Sequence, residues 1–290
     1  MAMSARLLPA ALAWLCLLPV TSHAEGPALW QLEGQRNRVY LFGSIHLLRP
    51  GEFRMEGELE RAYEDADTVY LEVDLAALSP PVMAAAVAAL AIDPRGRTLD
   101  ELMGEDADQA HALAREAGIE LAPLGQVEPW FAGLTVMSLA LAREGLSGSD
   151  GVEQQVLARA AGDGKEVHGL ETLEDQLGAL DAMEAKEQRQ FLLKSLEDAR
   201  QVPAAVQTLL TAWRTGDEAT LTRELASEFE DEPDLYRSLI VDRNRRWADQ
   251  IVALLDDEQD YLVIVGALHL VGDDGLPAIL EGRGLEISRH

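Results

Sequence analysis

The stretch Tyr261-Leu262-Val263-Ile264-Val265-Gly266-Ala267-Leu268-His269 is the most apolar strand pattern in the chain, and it ends in Gly-x-x-His. The same design stands near the other end: Val39-Tyr40-Leu41-Phe42 runs into Gly43-Ser44-Ile45-His46. Glycine lets a backbone turn or approach a ligand closely where a strand stops. A histidine three residues later supplies an acid–base group or a metal ligand. Two copies of one local design, far apart in sequence, imply two half-sites that meet when the terminal strands join one sheet.

Between these copies the pattern is mostly helical. Ala28–Leu32 and Arg38–Phe42 alternate around Gly34-Gln35-Arg36-Asn37, a hairpin signature. Thr68–Val73 is apolar except for Glu72, as in a central strand buried on both faces. Glu52–Asp65 has helical spacing, and the pattern is helical again from Pro80 to about Leu146, from Asp150 to Ala161 and from Thr172 to Asp256. Lys165–Leu170 predicts a short strand and Gly284–Ser288 a last edge strand. Strands at both ends and helices between predict an α/β (α+β) domain: a central sheet of N- and C-terminal strands with a large helical insertion. No Pro- or Ser-rich linker divides residues 25–290, which predicts a single domain.

Residues 1–24 have the make-up of a secretory signal peptide: Arg6, then apolar Leu7–Val20, then Ser22-His23-Ala24 at the cleavage end. This places the mature chain outside the cytoplasm, periplasmic or secreted. The apolar stretch is short for a membrane span and no second one follows, so no integral membrane segment is expected. The only cysteine, Cys16, falls in this leader, which excludes disulfides, thiol catalysis and zinc–thiolate sites from the mature protein. A net charge of −27 argues against nucleic acid as a partner. A peptide or small-molecule substrate fits better.

Chemistry concentrates in a few side chains. An unpaired carboxylate inside an apolar strand costs several kcal/mol, on the order of the stability margin of a domain. Glu72 therefore needs a cation, a proton or a cleft. Arg243 and Asn244 lie on or beside the apolar stripe Ile240, Trp247, Ile251 and Leu254 of one helix, and so need polar partners. Glu171, at a helix start, suits a carboxylate complementing the helix dipole. Glu153 reads as an N3 capping partner of Asp150. Asp74 reads as a cap or loop residue, and Arg245 and Arg246 as solvent-facing. Ser44 has no hydroxyl counterpart in the second copy, where Ala267 stands, and no Gly-x-Ser-x-Gly elbow or phosphate-binding loop occurs.

In order along the chain, Gly43-Ser44-Ile45-His46, Tyr70-Leu71-Glu72, Asp150-Gly151-Val152-Glu153, Gly169-Leu170-Glu171-Thr172-Leu173-Glu174-Asp175-Gln176, Arg243-Asn244 and Gly266-Ala267-Leu268-His269 resemble the TraB/PrgY/GumN family, whose relatives include the Tiki proteases. The resemblance implies an erythromycin-esterase/ChaN-like fold with both histidines, a strand-end glutamate and an arginine near one cleft. It implies further a metal-dependent hydrolase of peptide or ester bonds. His46, Glu72 and His269 would be its metal ligands or water activators, and Arg243 a transition-state or carboxylate clamp. Oxygen and nitrogen donors without sulfur suit manganese, cobalt, zinc or iron. The competing classes are a haem- or metal-binding protein of the same fold and a regulatory or assembly factor.

Overall fold

The computed structural model describes residues 26–290; the leader reading and Cys16 lie outside the described residues. The strands are β1 (Leu29–Glu33), β2 (Arg38–Ser44), β3 (Thr68–Val73), β4 (Glu166–Glu171), β5 (Tyr261–Gly266) and β6 (Ile287–Arg289). The helices are α1 (Gly57–Asp65), α2 (Pro80–Leu90), α3 (Leu99–Met103), α4 (Ala107–Glu116), α5 (Pro129–Arg143), α6 (Val152–Asp163), α7 (Leu173–Asp181), α8 (Ala185–Asp198), α9 (Val202–Thr215), α10 (Glu218–Glu228), α11 (Pro233–Tyr236), α12 (Asp242–Leu254) and α13 (Leu276–Gly282). Among the described residues, no helix is long and apolar enough to cross a membrane.

The strands form one mixed sheet in the order β4-β3-β5-β2-β1-β6. β4, β3, β5 and β2 are parallel, and β1 pairs antiparallel with both β2 and β6. The sheet is thus built from both chain ends, as the alternation of the terminal segments implies, and β5 slots between β2 and β3. Its apolar residues separate by parity, as a pleated strand requires. Leu262 and Ile264 join Tyr40, Phe42, Val69 and Leu71 under α1, α6 and α9. Val263 and Val265 join Val39 and Leu41 against Trp247, Ala248 and Ile251 of α12 and Leu276 and Leu280 of α13. Burial on both faces explains why β5 tolerates no polar residue. The remaining helices pack mainly on one another, with Leu99, Met103, Ala110, Ala132, Val136, Leu192 and Leu196 as their core.

Two helix boundaries differ from the sequence pattern. Residues 52–56 are not helical: Arg49 and Glu52 close a turn through their side chains and backbone, and α1 starts at Gly57. The helix expected over Leu239–Leu255 is a π-helical turn, Arg237–Val241, followed by α12. A π-turn shifts the angular position of every later side chain and is frequent at functional sites. Arg243 is the second residue after it.

Candidate active site

Parallel pairing of β2 and β5 puts the two Gly-x-x-His segments side by side. Gly43 pairs with Val265 and Ser44 with Gly266, so the glycines are one residue out of register. β3 flanks β5 on its other side, with Leu71 opposite Ile264, and Glu72 follows at the carboxyl end. The carboxyl ends of parallel strands are where open α/β sheets carry their ligand sites.

His46 lies in the loop after β2. That loop is pinned by paired backbone hydrogen bonds between Leu48 and Ser147 and by the N–H of Val152 donating to the carbonyl of Ile45. Gly151 fits against it because a Cβ there would overlap the His46 carbonyl. The imidazole Nδ1 lies 2.8 Å from Oε1 of Glu153, while Nε2 faces Glu72 Oε1 at 3.8 Å, and the side chain is 53% exposed. Burial works against its charge, but the Glu153 carboxylate, with Glu72 behind it, outweighs that and raises the pKa to about 9. Glu153 itself is buried, accepts a hydrogen bond from Ser44 Oγ and is held below the usual carboxylate range by His46 despite its burial. The cap reading of Glu153 is therefore corrected. Gly151 is the N-cap of α6, with no side-chain cap hydrogen bond.

Glu72 is fixed at both oxygens. Oε1 accepts from the Gly266 N–H at 2.7 Å, and Oε2 accepts from Arg243 Nη2 at 2.6 Å and Gln176 Nε2 at 3.0 Å. Burial would raise its pKa; its imidazole neighbours His269 and His46, then Arg243 and the Gly266 N–H, draw it down to about 2. Arg243 also donates to Glu171 through Nε at 3.0 Å and lies 2.7 Å from it through Nη2, while Nη1 donates to the Leu239 carbonyl at 3.0 Å. Glu171 is thus a partner of Arg243 rather than a simple dipole complement, although its burial pushes its pKa up. These contacts are those of a carboxylate clamp.

His269 is buried over Trp247, with ring centroids 4.7 Å apart. Nδ1 lies 2.7 Å from Asn244 Oδ1, and Nε2 lies 3.1 Å from Arg243 Nη1. Burial lowers its pKa to about 3, so the neutral ring donates from Nδ1 and accepts at Nε2. Asn244 also donates to the carbonyls of His269 and Asp274, which fixes its amide and hence the tautomer.

The four residues singled out by sequence, His46, Glu72, Arg243 and His269, form one constellation. A methyl group at Gly266 would lie 3.2 Å from Glu72 Oε1, 3.5 Å from His46 Nε2 and 3.7 Å from His269 Cδ2. Glycine at 266 thus adds no side chain to the space between the three. This space adjoins a cleft of about 510 Å³ lined by His46, Glu72, Val73, Leu75, Gln154 and Gln176. A larger cleft, about 740 Å³, lies between Phe42, Phe53 and Trp213 and contains none of these side chains.

Ligands of a divalent ion lie about 2.0–2.2 Å from one point, so two of them can stand about 4 Å apart. Glu72 Oε1, 3.8 Å from His46 Nε2 and 4.0 Å from His269 Nε2, is within that reach. What stands against a shared ion is that the His269 lone pair already accepts from Arg243 and Glu72 Oε1 already accepts from the Gly266 N–H. Among the described residues, no group of three or more His, Cys, Asp or Glu converges in a way that could hold a metal ion. Glu153, Glu171 and Gln176 enter the site from motifs whose local spacing has a sufficient non-functional explanation. His168 and Arg245 remain outside it, about half or more exposed, while Arg246, about half exposed, reaches Glu171 Oε2 from the rim at 3.7 Å.

"Uncharacterized protein YbaP" of Escherichia coli (strain K12) is 26% identical over 275 residues, 89% of this chain and 94% of its own length. The protein of the same name from Shigella flexneri matches to the same extent. No solved structure matches the chain. The profile of the TraB/PrgY/gumN family matches residues 28–289, from the first strand to the last, so the chain belongs to the TraB/PrgY/gumN family.

Proposed function

We propose that the chain is a hydrolase of peptide or ester bonds whose reacting water bridges His46 Nε2 and Glu72 Oε1 beside Gly266. The observation that supports this is Nε2 of the half-exposed His46 side chain facing the ionised Glu72 at 3.8 Å, a gap that one water oxygen can bridge and that Gly266 leaves clear of a side chain. Glu72 accepts one water hydrogen and orients the oxygen. His46 in its neutral form takes the proton as general base, with Glu153 stabilising the imidazolium that results. Arg243 holds Glu72 in place and keeps it ionised. The hydroxide so formed adds to the substrate carbonyl carbon, the bond to the leaving group breaks, and the leaving group takes the proton back from His46. A mixed α/β sheet with the site at the carboxyl ends of its parallel strands is compatible with the erythromycin-esterase/ChaN-like fold that the family resemblance implies. The leader at residues 1–24 supports export to the periplasm or beyond.

The test is turnover of a panel of peptides and esters by the purified protein, with and without chelator, repeated for His46→Ala and Glu72→Gln. Turnover lost in both variants and retained in chelator supports the reading. Turnover retained in both variants overturns it, and turnover abolished by chelator favours a metal-assisted form. A Soret band on adding haem, lost in His46→Ala, would instead favour a haem-binding protein.

A further inference from the structure

Three groups of the kind that metal enzymes use as ligands surround one guanidinium. Glu72 Oε2 and Glu171 Oε1 lie 2.6 and 2.7 Å from Nη2 of Arg243, and His269 Nε2 lies 3.1 Å from Nη1. The side chains of Arg243, Glu72, Glu171 and His269 are each at most 7% exposed. Two carboxylates in such a place need compensating charge, and a bare pair would be strongly unfavourable. The guanidinium supplies it, and unlike lysine or histidine it cannot release its proton to make room for another cation.

The surroundings are shaped for a planar cation. Cζ of Arg243 lies 4.5 Å from the Trp247 ring centroid, a stacking contact that a compact hydrated ion would not use in the same way. Asn244 fixes the His269 tautomer so that Nε2 offers a lone pair to Arg243. The Leu239 carbonyl takes a further hydrogen of Nη1, and every nitrogen of the guanidinium has an acceptor. We propose that Arg243 is the resident cation of this site: it satisfies Glu72 Oε2, Glu171 and His269 Nε2 in place of a divalent ion and thereby keeps such an ion from the space between them.

The test reads metal binding rather than turnover, so it stands apart from the hydrolase proposal. The full chain, Arg243→Ala and Arg243→Lys would be dialysed, their metal content measured by mass spectrometry, and their thermal unfolding followed with Mn²⁺, Co²⁺ or Zn²⁺. The unmutated protein is expected to retain no stoichiometric metal and to show no metal-dependent rise in Tm. Arg243→Ala, which uncovers the donors, is expected to bind at least one of these ions about tenfold or more tighter, with a rise in Tm. Arg243→Lys keeps a cation between the carboxylates, but one that can give up its proton, and is expected to bind metal more weakly than Arg243→Ala. Equimolar metal in the unmutated protein, or a rise in its Tm on adding an ion, overturns the proposal. A folded Arg243→Ala that binds no better than the unmutated protein overturns it as well. If Arg243→Ala does not fold, the metal content and Tm response of the unmutated protein decide.

Discussion

Glu153 Oε1 lies 2.8 Å from Nδ1 of His46, and this contact sets the charge of the most accessible group in the site. Replacing the carboxylate by an amide keeps an acceptor for Nδ1–H and removes the negative charge. Glu153→Gln is expected to bring His46 down from about 9 towards its ordinary 6.5, by at least about one unit, since a nearby opposite charge within hydrogen-bond reach is worth that much. An NMR titration of the His46 ring measures this directly. If activity is found, the pH at which kcat/KM levels off should fall in parallel. An unchanged His46 titration would remove Glu153 from the mechanism.

Gly266→Ala tests the placement of the water without straining the backbone. Gly266 has φ −53° and ψ 137°, values open to any residue, so alanine is not strained there. Its methyl would press on Glu72 Oε1 at 3.2 Å and stand 3.5 Å from His46 Nε2, crowding an oxygen that bridges the two. Stability is expected to stay within about 1 kcal/mol, because reduced chain entropy in the unfolded state offsets tight packing. Turnover is expected to fall at least about tenfold, as displacement of a reacting atom by about an ångström does. Normal turnover in a stable Gly266→Ala protein would mean that the water sits elsewhere.

The two motif histidines should act on stability with opposite signs. His46 has a raised pKa in the fold, so its contribution is complete below 6.5, the unfolded value, and is lost as pH rises to about 9. His269 is held neutral: below 6.5 the unfolded ring binds a proton that the folded one refuses until about 3, so stability falls as pH drops through that window. Glu72, lowered from 4.5 to about 2, adds a loss of the same direction at the acid end. The pH dependence of Tm is therefore expected to peak near 6.5. His46→Gln should flatten the alkaline side alone, which calorimetry across pH 5–10 would reveal. An alkaline slope unaffected by that substitution would contradict the assignment.

Much of this was legible in the chain because the relevant signals are local. Parity of apolar residues marks the strands, and Glu72 stands out as the one charge in Thr68–Val73. The doubled Gly-x-x-His shows itself as a repeat. What local pattern does not contain is partner choice. Glu153 and Glu171 each sit where a helix-start carboxylate needs no further reason, while Glu153 contacts Ser44 at a separation of 109 residues and Glu171 contacts Arg243 at 72. The insertion of β5 between β2 and β3 is also non-local, since it depends on which strand can be buried on both faces. The π-turn before α12 leaves no mark in apolar spacing, yet it aims Arg243.

Removing that arginine should show whether the carboxylates or the loss of packing set the cost. Arg243→Met keeps the stem's volume and its contact with Trp247 but leaves Glu72 and Glu171 uncompensated. Breaking a buried ion pair in this way costs roughly 3–5 kcal/mol, whereas replacing all the charges together is often near neutral. Arg243→Met alone is therefore expected to lose about that much in urea unfolding. Arg243→Met combined with Glu72→Gln and Glu171→Gln should recover most of it, and the same triple variant should lose the acid-side slope assigned to Glu72. A triple variant as unstable as the single one would mean that Arg243 supports the fold through its shape and hydrogen bonds to Leu239 and His269, not through its charge. Such a result would leave the carboxylates free to be held by something else, and would weaken the case for a resident cation on independent grounds.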